Sequence, residues 1–142
     1  FLLTFTIFGF DALKVFPNAS SLTGYQLFTH RTGEFGPPAN TYNVSGAFRL
    51  FSPVTACNIS TLYSHANGEY EQIFDEDIVL ILRGDCTFTQ KAHNAQLLGA
   101  IAAVIGDNTE DNEYIIMAQA DVNYTVDIPS VFVLYSTYSS IY

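Results

Sequence analysis

The residues best placed to do chemistry in this chain stand side by side. Arg83, Gly84, Asp85 and Cys86 follow directly on the apolar run Ile78-Val79-Leu80-Ile81-Leu82. An arginine offers a planar fork of donors suited to carboxylates or peptide carbonyls. The aspartate beside it can fix that fork or accept from a peptide amine. Thr87 then reads as a helix N-cap, and Gln90 three residues later completes a capping box. The start of such a helix presents unpaired N–H groups and a partial positive charge. The joint from Arg83 to the helix start at Thr87 is therefore a small polar recognition surface, suited to carboxylates or peptide groups. A purely structural Arg83–Asp85 arrangement that ties the turn accounts for the same residues equally well. Arg83-Gly84-Asp85 also spells an integrin-type tripeptide, but that role needs a mobile loop tip, and this tripeptide sits between a strand and a capped helix.

Other chemistry is excluded or weakly supported. The chain contains no G-x-S-x-G, no H-E-x-x-H and no P-loop. His30, His65 and His93 lack ligand spacing to one another or to a cysteine. The acidic loop with Asp107, Glu110, Asp111 and Glu113 lacks the spacing of an EF-hand. Asp75-Glu76-Asp77 reads as a solvated edge. No catalytic residue, metal or cofactor is expected. The net charge of -9 argues against nucleic acid and against anionic membrane surfaces, because there is no cationic footprint to meet phosphates. It permits a basic or neutral peptide or protein partner.

Composition points to an oxidising compartment of the secretory pathway or to the cell exterior. Only 13% of the residues are charged, which is low for a soluble domain, and carbohydrate would supply the missing polarity. Asn18, Asn43, Asn58 and Asn123 each begin an N-x-S/T sequon. The two cysteines, Cys57 and Cys86, form one disulfide in an oxidising compartment or stay as two buried thiols.

These features must be positioned by a small set of elements. With 142 residues, 49% of them hydrophobic, the chain makes one domain or most of one. Ile78–Leu82 and Ile101–Ile105 are apolar on both faces, as parallel strands buried on two sides require. Between them Phe88, Ala92, Ala95 and Leu98 share a helical stripe, with Gln90, Lys91, His93, Asn94 and Gln96 mostly off it. Gly99 closes the helix in a left-handed conformation. Strand, crossover helix and parallel strand follow. Ser130–Leu134 is a third buried strand, entered through Pro129. Leu13–Phe16, Gly24–Thr29 and Ser45–Phe51 read as further strands, and Tyr114–Met117 as a brief one. Gly33–Thr41 reads as an exposed loop, and Asn58–Asp77 as a loop with one turn of helix. Ser136 reads as the N-cap of a last helix. Residues 1–12 read as a signal-peptide remnant or an edge strand, and 13–142 as the domain proper.

The stretch LILRGDCTFTQKAHNAQLLGAIAAVIGDN, followed by DIPSVFVL, resembles the protease-associated (PA) domain. The matching positions are Arg83, Gly84, Cys86, Phe88, Lys91, Asn94-Ala95, Gly99-Ala100, Asn108 and Ile128-Pro129. Leu13-Lys14-Val15, Gly24-Tyr25, Phe35-Gly36-Pro37, Ser45-Gly46-Ala47 and Ala56-Cys57 are similar to the first half of that domain in vacuolar sorting receptors. Small secreted PA-domain glycoproteins are a second close pattern. The resemblance implies a mixed, β-rich α/β fold of the swivelling β/β/α type, two packed sheets with flanking helices. It implies no catalysis by the domain and a role in binding cargo peptides. Arg83, Gly84, Asp85, Cys86, Thr87 and Phe88 would hold the peptide, with the loop at Met117 opposite and a Cys57–Cys86 bridge pinning one end. Ile115-Ile116-Met117-Ala118 departs from sorting receptors in lacking an acidic residue after the methionine. The resemblance also implies a last strand beyond residue 142. Accessory domains of subtilases, aminopeptidases and signal-peptide-peptidase-like proteases, and luminal domains of transmembrane RING ubiquitin ligases, share the pattern.

Overall fold

The computed structural model describes residues 4–8, 12–16, 26–59, 70 and 72–142. In chain order the described elements are β1 (Thr4–Phe8), β2 (Ala12–Phe16), β3 (Gln26–Thr29), β4 (Arg31–Thr32), β5 (Asn43–Leu50), β6 (Ile78–Leu82), α1 (Phe88–Leu97), β7 (Ala102–Gly106), β8 (Ser130–Val133) and α2 (Tyr135–Ile141). The fold is the expected β-rich α/β type. Its strands lie in the order β3-β2-β1-β5-β6-β7-β8-β4.

Two sheets share β5. Its first residues, Asn43 to Ala47, pair antiparallel with β1. Its last, Phe48 to Leu50, pair parallel with β6. The parallel sheet then runs through β7 and β8, and β4 adds antiparallel to β8. Only His30 separates β3 from β4, so the two ends of the strand order are neighbours in the chain and the sheets curl round toward each other.

The central strands are apolar on both sides because both sides are covered. Val79, Ile81, Ala103, Ile105 and Phe132 face α1, where Ala92, Ala95 and Leu98 lie in the same core. Ile78, Leu80, Ala102, Val104, Val131 and Val133 face the opposite way and meet Ile7, Leu13, Tyr138 and Ile141. The small alanines let α1 approach the sheet closely as it crosses from β6 to the parallel β7. Gly99, at φ +98°, ends α1, and a Cβ there would lie 2.3 Å from the Phe74 carbonyl oxygen. Gly99 N–H reaches Gln96 O and Ala100 N–H reaches Ala95 O, which completes a Schellman motif.

Several expectations are corrected. Thr4–Phe8, within the stretch for which an edge strand is one reading, is a strand but not at an edge, since it pairs on both sides. Tyr114–Met117 is not a strand. Its tyrosine hydroxyl is taken by Thr29, and Met117 O accepts from Glu34 N–H. The loop Gly33–Thr41 is not wholly exposed, because Phe35 is buried in the core. Helix α2 begins at Tyr135 with Leu134 as N-cap and no side-chain cap. Ser136 lies inside its first turn, where its carbonyl accepts from the hydroxyls of Ser139 and Ser140. Gly24 and Tyr25, and most of the 58–77 stretch in which one turn of helix is expected, lie outside the described residues.

Candidate functional site

The strand register places the site. Leu82 pairs with Gly106 at the ends of β6 and β7, so the next residues, Arg83 and Asp107, emerge side by side. Arg83 N–H donates to Gly106 O at 2.9 Å, and its Nη1 donates to Asp107 Oδ1, also at 2.9 Å. Arg83 thus staples the carboxyl ends of two parallel strands. Its partner is Asp107 and not Asp85, which corrects the expected Arg83–Asp85 pairing. Asp107 is buried, with only 1% of its surface exposed, and its Oδ2 has no hydrogen-bond partner.

The loop then turns through two left-handed residues, Gly84 at φ +120° and Asp85 at φ +69°. Gly84 has open space where a Cβ would point, with Asn108 Nδ2 nearest at 3.7 Å. Glycine is there for backbone conformation and not for clearance. Asp85 is exposed, and aspartate is among the few side chains that tolerate this region. Cys86 is joined to Cys57 by a disulfide across 29 residues of sequence.

Thr87 caps α1 as expected, its Oγ1 accepting from Gln90 N–H at 3.2 Å. The capping box is only half made. Gln90 Nε2 donates to Cys57 O at 3.1 Å instead of returning to the cap. Asn94 Nδ2 donates to Ala56 O at 2.7 Å. Phe88 turns inward, packs on the core and meets the Phe132 ring edge-on at 6.3 Å.

Lys91 is the site's unforeseen member. The sequence pattern places it off the helical stripe, yet it is wholly buried. Its Nζ donates to Thr55 O at 2.6 Å and to Gly84 O, and lies 3.3 Å from Cys57 Sγ. Burial lowers its pKa to about 8, and the nearby Asp85 carboxylate opposes that shift. The spacing does reveal it, because Lys91 is three residues after Phe88 and four before Ala95, both core-facing.

Thus Arg83, Gly84 and Asp85 form the surface-facing part of the predicted loop, while Cys86, Thr87 and Phe88 fix it. Met117 is not beside them on the surface. It is a core residue with 1% exposure, and its methyl carbon lies 3.3 Å from a Cβ built on Gly33. Beside the loop is a cleft of about 350 Å³ at the carboxyl ends of the parallel strands, lined by Val54, Leu82, Asn108, Tyr135, Tyr138 and Tyr142. Open α/β sheets bind ligands at this end.

The remaining candidates are dispersed. Asp77, read as part of a solvated edge, is buried and paired with Arg49 at 2.6 Å. His93 Nδ1 is 2.8 Å from Thr125 O. His65 lies outside the described residues. Among the described residues no group of His, Cys, Asp or Glu is arranged to hold a metal. Asn43, Asn58 and Asn123 are exposed, and Asn18 lies outside the described residues.

The PA-domain family model matches residues 41–141, and this chain belongs to the PA-domain family. It is 30% identical over 106 residues to receptor homology region, transmembrane domain- and RING domain-containing protein 1 of Arabidopsis thaliana, covering 75% of this chain and 33% of that protein. It is 28% identical over 116 residues to signal peptide peptidase-like 5 of Arabidopsis thaliana, covering 79% and 20%. It is 28% identical over 151 residues to the E3 ubiquitin-protein ligase RNF13 of Bos taurus, covering 99% and 37%. The chain therefore spans well under half the length of these relatives. Among solved structures, BSAP, a zinc aminopeptidase from Bacillus subtilis, matches with a TM-score of 0.61 and 17% identity over 99% of this chain and 28% of that one. That likeness concerns the fold alone.

Proposed function

We propose that this is a non-catalytic protein-interaction domain of the secretory-pathway lumen or cell exterior, which binds peptide or protein ligands through the loop from Arg83 to Phe88. One observation carries the reading. The loop is fixed at three points, by the Arg83–Asp107 pair, the Cys57–Cys86 bridge and the Lys91–Gly84 contact, while Asp85 stays exposed at its tip. A surface loop held rigid pays little ordering entropy on binding. The cleft beside it gives an apolar side chain of the ligand somewhere to go. The disulfide and the exposed sequon asparagines support an oxidising, glycosylating compartment.

In a sorting-receptor-like parent the ligand would be cargo. The names of the relatives favour a second parent, a transmembrane protein with a RING domain, or a signal-peptide-peptidase-like one, in which the same loop would meet clients or substrates. The test is selection of random decapeptides on the purified chain, followed by affinity measurement against Asp85→Asn. That substitution keeps the side-chain shape and tolerates the left-handed backbone. Selected peptides should lose at least about threefold in affinity. Unchanged affinity across all of them sinks the assignment of the loop.

A further inference from the structure

We propose that the Cys57–Cys86 bridge is a thiol-exchange site, in which an external thiolate attacks Cys86 Sγ and Cys57 departs as a thiolate held by the Lys91 ammonium. Lys91 carries three N–H donors, and the structure gives each one a direction: Thr55 O, Gly84 O and Cys57 Sγ, the last at 3.3 Å. A disulfide sulfur is a weak acceptor. The same sulfur as a thiolate turns that contact into a charge-assisted bond. The ammonium therefore favours Cys57 over Cys86 as the leaving sulfur, and it does so against the Thr55 and Gly84 carbonyl oxygens, 3.3 and 3.5 Å from the same Sγ.

The surroundings keep that geometry after cleavage. Gln90 Nε2 and Asn94 Nδ2 both lie within reach of Cys57 O, at 3.1 and 3.4 Å, so Cys57 remains beside Lys91 when its bridge opens. Lys91 is wholly buried, which weakens competition from water for the ion pair. Asp85 is the carboxylate that acts on the ammonium. It sits on the loop that loses one anchor on cleavage, whereas the 51–57 segment offers Lys91 a carbonyl and a sulfur. Cys86, in contrast, follows the left-handed pair Gly84 and Asp85, and its N–H donates to Gly84 O at 2.9 Å within the same loop.

The exchange balances simply. A low-molecular-weight thiolate forms a mixed disulfide with Cys86, and the electron pair of the broken S–S bond stays on Cys57. A second thiolate then attacks the mixed disulfide, releasing the oxidised small-molecule disulfide and the Cys86 thiolate. Two electrons pass from thiols to protein. Opening the bridge removes one of the three anchors of the loop. That consequence for binding rests on the recognition reading, while the exchange chemistry does not, and its test involves no peptide.

The oxidised chain is treated briefly with glutathione at pH 7, quenched in acid and mapped by peptide mass spectrometry. Glutathione should be found on Cys86 with Cys57 as the free thiol; the reverse placement, or equal labelling, overturns the proposal. In the fully reduced chain, the pH profile of iodoacetamide alkylation should give Cys57 an apparent pKa below about 7, against the ordinary value of about 8.5. Lys91→Met should return it to the ordinary range. If that variant does not fold, the two wild-type measurements decide the matter. An ordinary Cys57 profile in the wild-type chain overturns the assignment of Lys91.

Discussion

Arg83 shows how one residue changes meaning once its partner is known. As a free fork it would be a ligand contact that alanine removes cleanly. Bonded to buried Asp107 it is also a structural tie between β6 and β7. Arg83→Ala should therefore cost about 2–4 kcal/mol, because it strands a buried carboxylate. Urea denaturation measures this, and a loss below about 0.5 kcal/mol would mean that the pair contributes nothing. For the same reason Asp85, and not Arg83, is the better probe of binding. Lys91 carries a pH prediction. Its pKa is lowered from 10.5 to about 8 by burial. Between those values the unfolded chain holds a proton that the folded chain has lost, so the stability contributed by this site rises with pH across that window and is lowest below it. NMR of labelled lysine should show one side chain titrating near pH 8; titration of every lysine near 10.5 would contradict the buried placement. The joint itself was legible because polar residues interrupt an apolar run. The partners were not. Asp107 follows a different strand, and only the register of β6 with β7 brings it to Arg83. Lys91 was hidden because a charged side chain is assigned to solvent by default, although its spacing from Phe88 and Ala95 put it on the buried face.

Among the elements, α1 bears most of the positioning. Its cap residue Thr87 fixes where the loop ends, its stripe of alanines fixes how near the sheet it lies, and Gly99 fixes how it returns to β7. Gly99→Ala should destabilise the chain by about 2 kcal/mol or more, since it adds a Cβ against the Phe74 carbonyl oxygen in a left-handed backbone conformation. Thermal denaturation checks this, and an unchanged midpoint would mean that Phe74 is not packed there. The helix, its Gly stop and the three parallel strands were readable because their periodicity is strong. Tyr114–Met117 misled because a short apolar run reports burial and not conformation. Met117 plugs the core from a loop, and Tyr114 spends its hydroxyl on Thr29. Ser136 resembled a cap, yet α2 starts two residues earlier than that cap implies, with the helix already anchored by the apolar Tyr138 and Ile141.

For the whole molecule, the family was legible in the residues from Leu80 to Asn108 together with Ile128 to Leu134. The closure of the sheets was not, because it depends on a two-residue strand, Arg31–Thr32, reaching β8 across about 100 residues of sequence, for which local pattern carries no signal. The disulfide adds about 3–4 kcal/mol in the chain-entropy model and ties the first half of the chain to the loop. All of this converges on a rigid, exposed turn at the carboxyl ends of the parallel strands. The most direct test titrates a selected peptide into isotope-labelled chain and follows the backbone amides. The account predicts the largest shifts at residues 83–88 and at Asn108, beside the cleft. Shifts confined to the β3 edge or to the outer face of α1 around His93 and Tyr124, with residues 83–88 unmoved, would contradict it.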